Sequence, residues 1–286
     1  MRYASPSTAE EASILLNEEK GVSRILAGGT DVLVQMKSGI IEPDLLVDIK
    51  TIPGIKDIVK QNNGFKIGAA VSGYELNNHQ DLKSSFPGVV EAMDLIGSTQ
   101  IQGRCTLVGN LCNGSPAADS VPALMAVNAT IEIVGPTGTR VSPIKEIPLS
   151  PGKTSLKKGE FITSVFIPLM PPLSSDAYLR FTPRTEMDIA VVSAAVSLTL
   201  DESGVCLNAQ IALGAVAPTV ILVEEAAKEI INTKLDKTVL SKMAEKCNKA
   251  CKPISDKRGT INFRTDVSGV LASRASLIAY NRAGGK

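Results

Sequence analysis

The sequence predicts an α+β fold built from more than one compact unit, and three observations lead there. A strand–turn–helix–strand order fills residues 1–55. Alternating strands flank a Gly-Pro-Thr-Gly turn at 135–138. Two long apolar strands joined at Glu202-Ser203-Gly204 precede a run of amphipathic helices. A length of 286 residues favours several units over one. The proline- and serine-rich stretch "LMPPLSSDA" (169–177) places a boundary near residue 172. The expected division is 1–55, 56–172 and 173–286.

Each element has a local reason. In "SPSTAEEASILLNEEKG", Ser7 with Glu10 three residues on reads as a capping box. Ala9, Ala12, Leu15 and Leu16 make a helical stripe, and Gly21 is its expected stop. "SRILAG" reads as a short buried strand, "TDVLVQMKSG" as a helix closed by Gly39, and "PDLLVDI" as another strand. In the second unit "FKIGAAVSG" is a strand, and "FPGVVEAMDLIGS" is a helix with Pro87 near its start. A helix follows from about Val121, then the hairpin of "ATIEIVGPTGTRVSPI" and the strand "EFITSVFIP". The last unit reads as two strands across 188–218, then helices around 221–232, 236–251 and 266–281.

Composition excludes several classes. The chain is 44% apolar and 21% charged with a formal net charge of +1, so no surface suited to nucleic acid or anionic lipid is expected. Without tryptophan, base-stacking platforms are not expected either. No apolar run reaches membrane-spanning length, so no membrane insertion is expected, and five cysteines in no secreted-scaffold pattern point to the cytoplasm. The single histidine, His79, sits in a polar stretch and reads as a loop or helix end. One histidine supports neither a His-rich zinc site nor a conventional triad that leaves it out. No C-x-x-C pair is present to hold an iron–sulfur cluster. The expected site therefore contains no metal and no catalytic acid–base pair.

Two small-residue junctions remain. "LAGGTD" ends a strand and opens a helix. Its glycines permit positive φ and close approach, and its successive N–H groups suit an anion. A glycine pair alone is more often a plain tight turn. Neither the Rossmann fingerprint nor the Walker A loop fits here. The second junction, "TLVGNLCNGSPAADS" (106–120), gathers small side chains, hydroxyls and one acid. Together the two favour a dinucleotide-like ligand.

With these residues in view, "LAGGTDVLV" (26–34), "TLVGNLCNGSPAADS" and "YLRFTPRTEMDIAVVSAAV" (178–196) resemble the FAD-binding medium subunit of the molybdenum hydroxylases, the carbon monoxide dehydrogenase and xanthine dehydrogenase family. The resemblance covers essentially the whole chain. It implies a two-subdomain FAD-binding fold of the vanillyl-alcohol-oxidase (PCMH) type, with a C-terminal α+β domain of antiparallel sheet and helices. It implies that Ala27, Gly28, Gly29, Thr30, Asp31, Val32, Leu33 and Val34 wrap the FAD pyrophosphate. Thr106, Leu107, Val108, Gly109 and Asn110 would form the second phosphate-side loop, with Asp119 a polar contact beyond. Ile96, Leu156, Arg180 and Ile189 fall at further cofactor-contact positions, Ile189 on a loop that approaches the isoalloxazine ring. Relatives often carry lysine where Arg180 stands, and the two cations are not interchangeable. No histidine or cysteine stands at a flavin attachment position, so FAD is expected to be non-covalent.

The family's working arrangement follows from the same resemblance. Molybdopterin sits on a large partner subunit and two [2Fe–2S] clusters on a small one, with a dimer of heterotrimers as the expected assembly. The flavin takes electrons from the clusters and passes them to NAD, a quinone or another acceptor. The competing expectations are a free-standing flavin oxidoreductase acting on a small substrate and a scaffold that has lost its cofactor.

Overall fold

In the computed structural model, which describes residues 1–285, the chain begins with β1 (Arg2–Ala4), α1 (Ala9–Glu18), β2 (Ser23–Leu26), α2 (Val32–Lys37) and β3 (Leu45–Asp48). β3 pairs in parallel with both β1 and β2, leaving β2 as an edge strand. The cap of α1 falls one residue later than expected. Thr8, not Ser7, is the N-cap and accepts the Glu11 N–H, while the Glu11 carboxylate takes the Ser7 N–H and hydroxyl just outside the helix, so no reciprocal capping box forms. The helix ends at an extended Glu19 rather than at Gly21.

The second stretch runs through β4 (Ile58–Gln61), β5 (Gly64–Gly68), α3 (Gly73–Asn77), α4 (Gln80–Ser85), α5 (Pro87–Asp94), α6 (Thr99–Gln102), α7 (Leu107–Cys112) and α8 (Ser120–Ala126). It continues with β6 (Thr130–Gly135), β7 (Gly138–Pro143), β8 (Pro148–Ser150), β9 (Lys153–Thr154) and β10 (Phe161–Pro168). The five-stranded sheet has the order β4-β5-β10-β6-β7 and is antiparallel throughout. The expected hairpin is β6–β7. His79 ends up as a cap, its Nδ1 accepting the Leu82 N–H at 3.3 Å.

The final stretch contains β11 (Ser174–Phe181), β12 (Val192–Leu200), β13 (Cys206–Gly214), β14 (Ile221–Leu222), α9 (Glu224–Ile230), α10 (Lys237–Ala250) and α11 (Ile261–Arg282). Its antiparallel sheet follows chain order. The expected strand from residue 188 starts at Val192, and the first helix at Glu224. β11 has no counterpart in the sequence reading; it spans part of the 169–177 break and the "YLRF" motif. Alternation there is masked because Ala177 and Tyr178 are buried on opposite faces of the strand.

Two hydrophobic clusters form. One joins the elements up to β10 with Tyr178, Ala195 and Ala212, and the other fills the space between the last sheet and α9–α11. The seam between them is tied by polar contacts. Asp176 Oδ2 accepts the Val89 N–H at the start of α5. Arg282 donates to the Asp176 carbonyl at 3.0 Å and pairs with Glu91. No helix among the described residues is long and apolar enough to cross a membrane.

Candidate functional site

β2 delivers the chain directly into the first junction. Gly29 has φ +84°, and its C=O accepts the Leu33 N–H that begins α2. Gly28 is required for a different reason: a Cβ there would meet the Arg104 carbonyl oxygen at 1.8 Å. Among the described residues no acceptor meets the backbone N–H groups of Gly28, Gly29, Thr30, Asp31 or Val32. Five donors in sequence, at a strand end and a helix start, form a concavity that favours anions.

The second junction is a helical turn rather than the expected loop. Thr106 caps α7, its Oγ1 accepting the Gly109 N–H at 2.8 Å and its carbonyl the Asn110 N–H at 3.0 Å. The N–H groups of Leu107 and Val108 then lack acceptors among the described residues. The Asn110 side chain turns towards α8, where Oδ1 takes the Ser120 N–H and hydroxyl.

The two junctions touch. Arg104 Nε donates to the Gly28 carbonyl at 3.3 Å, Asn113 Nδ2 to Asp31 Oδ1 at 3.1 Å, and Gln35 Nε2 to Asn113 Oδ1 at 3.2 Å. Both face one cavity of about 620 Å³, lined by Ala27, Gly28, Gly29, Thr30, Asp31, Val32, Thr106, Val108, Gly109 and Leu156 among the expected residues. Such a volume lies within the range of about 300–1,000 Å³ common for small-molecule sites. A second cavity of about 450 Å³, between β7 and α9, contains none of them.

Sequence reasoning missed Arg24, Lys157 and Lys158 on the same cavity wall. The signal available was the "KKG" beside Leu156. Cys112 also lines the cavity, but burial pushes its thiol up to about 12, so it is no nucleophile. Burial likewise raises Asp31 above the ordinary carboxylate range.

The remaining expected residues lie elsewhere. Leu33 and Val34 sit on α2 outside the lining and well exposed, and Leu107 is buried. Ile96 is half-buried in the turn after α5. Ile189 is exposed on the loop between β11 and β12, and that loop touches the same turn through Met187 N–H to the Gly97 carbonyl at 3.4 Å. Asp119 and Arg180 form a buried ion pair, Arg180 Nη1 to Asp119 Oδ2 at 2.8 Å. The Tyr178 hydroxyl donates to Asp119 Oδ1 at 2.6 Å. Burial raises the Asp119 carboxyl to about 6, against the opposing pull of Arg180 and Tyr178.

Comparison with known proteins bears on this geometry. Residues 1–170 match the family model "FAD binding domain in molybdopterin dehydrogenase", and residues 177–279 match "CO dehydrogenase flavoprotein C-terminal domain". The carbon monoxide dehydrogenase medium chain of Afipia carboxidovorans is 34% identical over 282 residues, covering 98% of this chain and 97% of that one. A putative xanthine dehydrogenase FAD-binding subunit of Escherichia coli is 29% identical over 286 residues, covering 99% and 97%. A chain of the reconstituted CO dehydrogenase from Oligotropha carboxidovorans superposes with a TM-score of 0.94 at 32% identity, covering 99% of this chain and 98% of its own. The α+β FAD-binding architecture expected from the sequence is the architecture these proteins share.

Proposed function

The chain belongs to the family of FAD-binding medium subunits of the carbon monoxide and xanthine dehydrogenases, and from that premise we propose where its flavin sits and how it works. As a member it is the FAD-binding, oxidoreductase subunit of a molybdenum hydroxylase. The observation that carries the siting is the meeting of the two junctions on one cavity. Backbone donors from Gly28 to Val32, with Leu107 and Val108, fit the chemistry of a diphosphate without a dedicated lysine. Arg24, Lys157 and Lys158 add positive charge to the wall. Asp119, Arg180, Ile96 and Ile189 would meet the rest of the nucleotide.

Bound FAD supplies the redox chemistry, and this chain binds, orients and shields it. The flavin is held non-covalently. It takes electrons from the [2Fe–2S] clusters of a small partner subunit and passes them to NAD or another acceptor. A large molybdopterin-binding subunit completes the complex, as a dimer of heterotrimers in the cytoplasm. Five unpaired cysteines support a reducing compartment.

Reconstitution of the purified chain with FAD tests the reading. The expected product is yellow, holds one flavin per chain, reduces an artificial dye from NADH and oxidises no organic substrate unaided. Unaided substrate turnover would favour a free-standing oxidoreductase, and a colourless product would favour a scaffold without cofactor.

A further inference from the structure

Asp119, Tyr178 and Arg180 form a unit that crosses the seam of the molecule. Asp119 directly precedes α8, at the end of the second junction, whereas Tyr178 and Arg180 stand two apart on one face of β11. One carboxylate oxygen takes the phenol at 2.6 Å and the other takes the guanidinium at 2.8 Å. Both side chains of the ion pair are nearly solvent-free, at 5% exposure for Arg180 and 10% for Asp119. The Arg180 guanidinium spends one nitrogen on this pair and makes no other hydrogen bond among the described residues.

We propose that Tyr178 is a positioning residue for the flavin: its hydroxyl fixes the rotation of the Asp119 carboxylate, and through it the orientation of the Arg180 guanidinium, which the FAD reading above sets against the nucleotide outside the diphosphate cavity. A carboxylate held at only one oxygen can rotate about its terminal bond, a broad and roughly two-fold torsion. Held at both, it can present only one edge to Arg180. The phenol itself needs no contact with the cofactor.

A second buried carboxyl, Asp176, stands two residues before Tyr178 on β11, bonded to the Val89 N–H rather than to this unit. From α5, Glu91 accepts the Tyr178 backbone N–H and is engaged by Arg282; from β12, Ser193 lies beside the phenol. The charge state of Asp119 is therefore governed by burial, Arg180 and Tyr178. The hydrogen bond from Tyr178 favours the ionised form, so its loss moves the titration upwards from about 6.

This inference rests on the FAD reading above. The test measures FAD dissociation from the purified chain across pH 5–8.5, with the melting temperature of the FAD-free chain alongside, for the parent and Tyr178→Phe. The parent is expected to bend near pH 6. The variant is expected to keep FAD at pH 8 with no more than a few-fold loss, while its bend moves towards neutrality. A lowered melting temperature with the bend unmoved overturns the inference and leaves Tyr178 a packing residue. If Tyr178→Phe does not fold, Asp119→Asn interrogates the same unit: the bend must vanish, and its persistence overturns the proposal. A parent chain that takes up no FAD defeats both this inference and the reading beneath it.

Discussion

Gly28 and Arg104, seventy-six residues apart in sequence, clasp each other: a Cβ on Gly28 would lie 1.8 Å from the Arg104 carbonyl oxygen, and the Arg104 side-chain Nε–H returns to the Gly28 carbonyl at 3.3 Å. The contact holds the two junctions in register. Gly28→Ala must push them apart, so it is expected to abolish FAD retention and lower the melting temperature by several degrees. A Cβ on Gly109 would meet only the Thr106 hydroxyl, at 2.9 Å, so Gly109→Ala should weaken retention less. Flavin absorbance after gel filtration checks both. Equal retention by the parent and Gly28→Ala would contradict the account.

Asp176 predicts a pH effect on stability. Burial raises its carboxyl from 3.8 to about 7, although the Gly88 and Val89 N–H groups oppose the shift. Its Oδ1 is buried without a partner among the described residues. A raised carboxyl contributes stability that is fully present below about pH 4 and is lost as pH rises through about 7, on the order of 1 kcal/mol per pH unit. Asp176→Asn keeps an acceptor for Val89 and removes the titration. Urea midpoints should show the variant gaining on the parent between pH 5 and 8; parallel curves would refute this.

Removing the cation from the buried pair should cost more at high pH than at low. Arg180→Met leaves Asp119 charged and held by Tyr178 alone, a loss of about 3–5 kcal/mol for a broken buried pair. Below the Asp119 titration near 6 the carboxyl is neutral and the loss should shrink. Denaturant midpoints of the parent and variant at pH 5 and pH 8 measure it. A loss of the same size at both would exclude this electrostatic origin.

The sequence exposed much of this chain because many of its elements are local. The hairpin β6–β7 and the start of α5 at Pro87 follow from residues within a few positions of each other. The junctions were visible as glycine-rich bends, but their mutual contact depends on Gly28 meeting Arg104, a long-range fact. β11 escaped because its buried faces hide the period-two pattern, and the 106–110 segment because one cap, Thr106, turns an apparent loop into a helix start. Lys157 and Lys158 reach the cavity because the connection from β9 to β10 lines the same space as the end of β2, a long-range arrangement. The motifs were enough for the family resemblance, whereas the Tyr178–Asp119–Arg180 unit needed coordinates.

A crystal structure of the chain with FAD is the most direct test of the central claim. The diphosphate oxygens should lie within about 3.2 Å of N–H groups from both Gly28–Val32 and Leu107–Val108, the ordinary hydrogen-bond range. A nucleotide touching only one of these segments, or lodged in the cavity between β7 and α9, would contradict it.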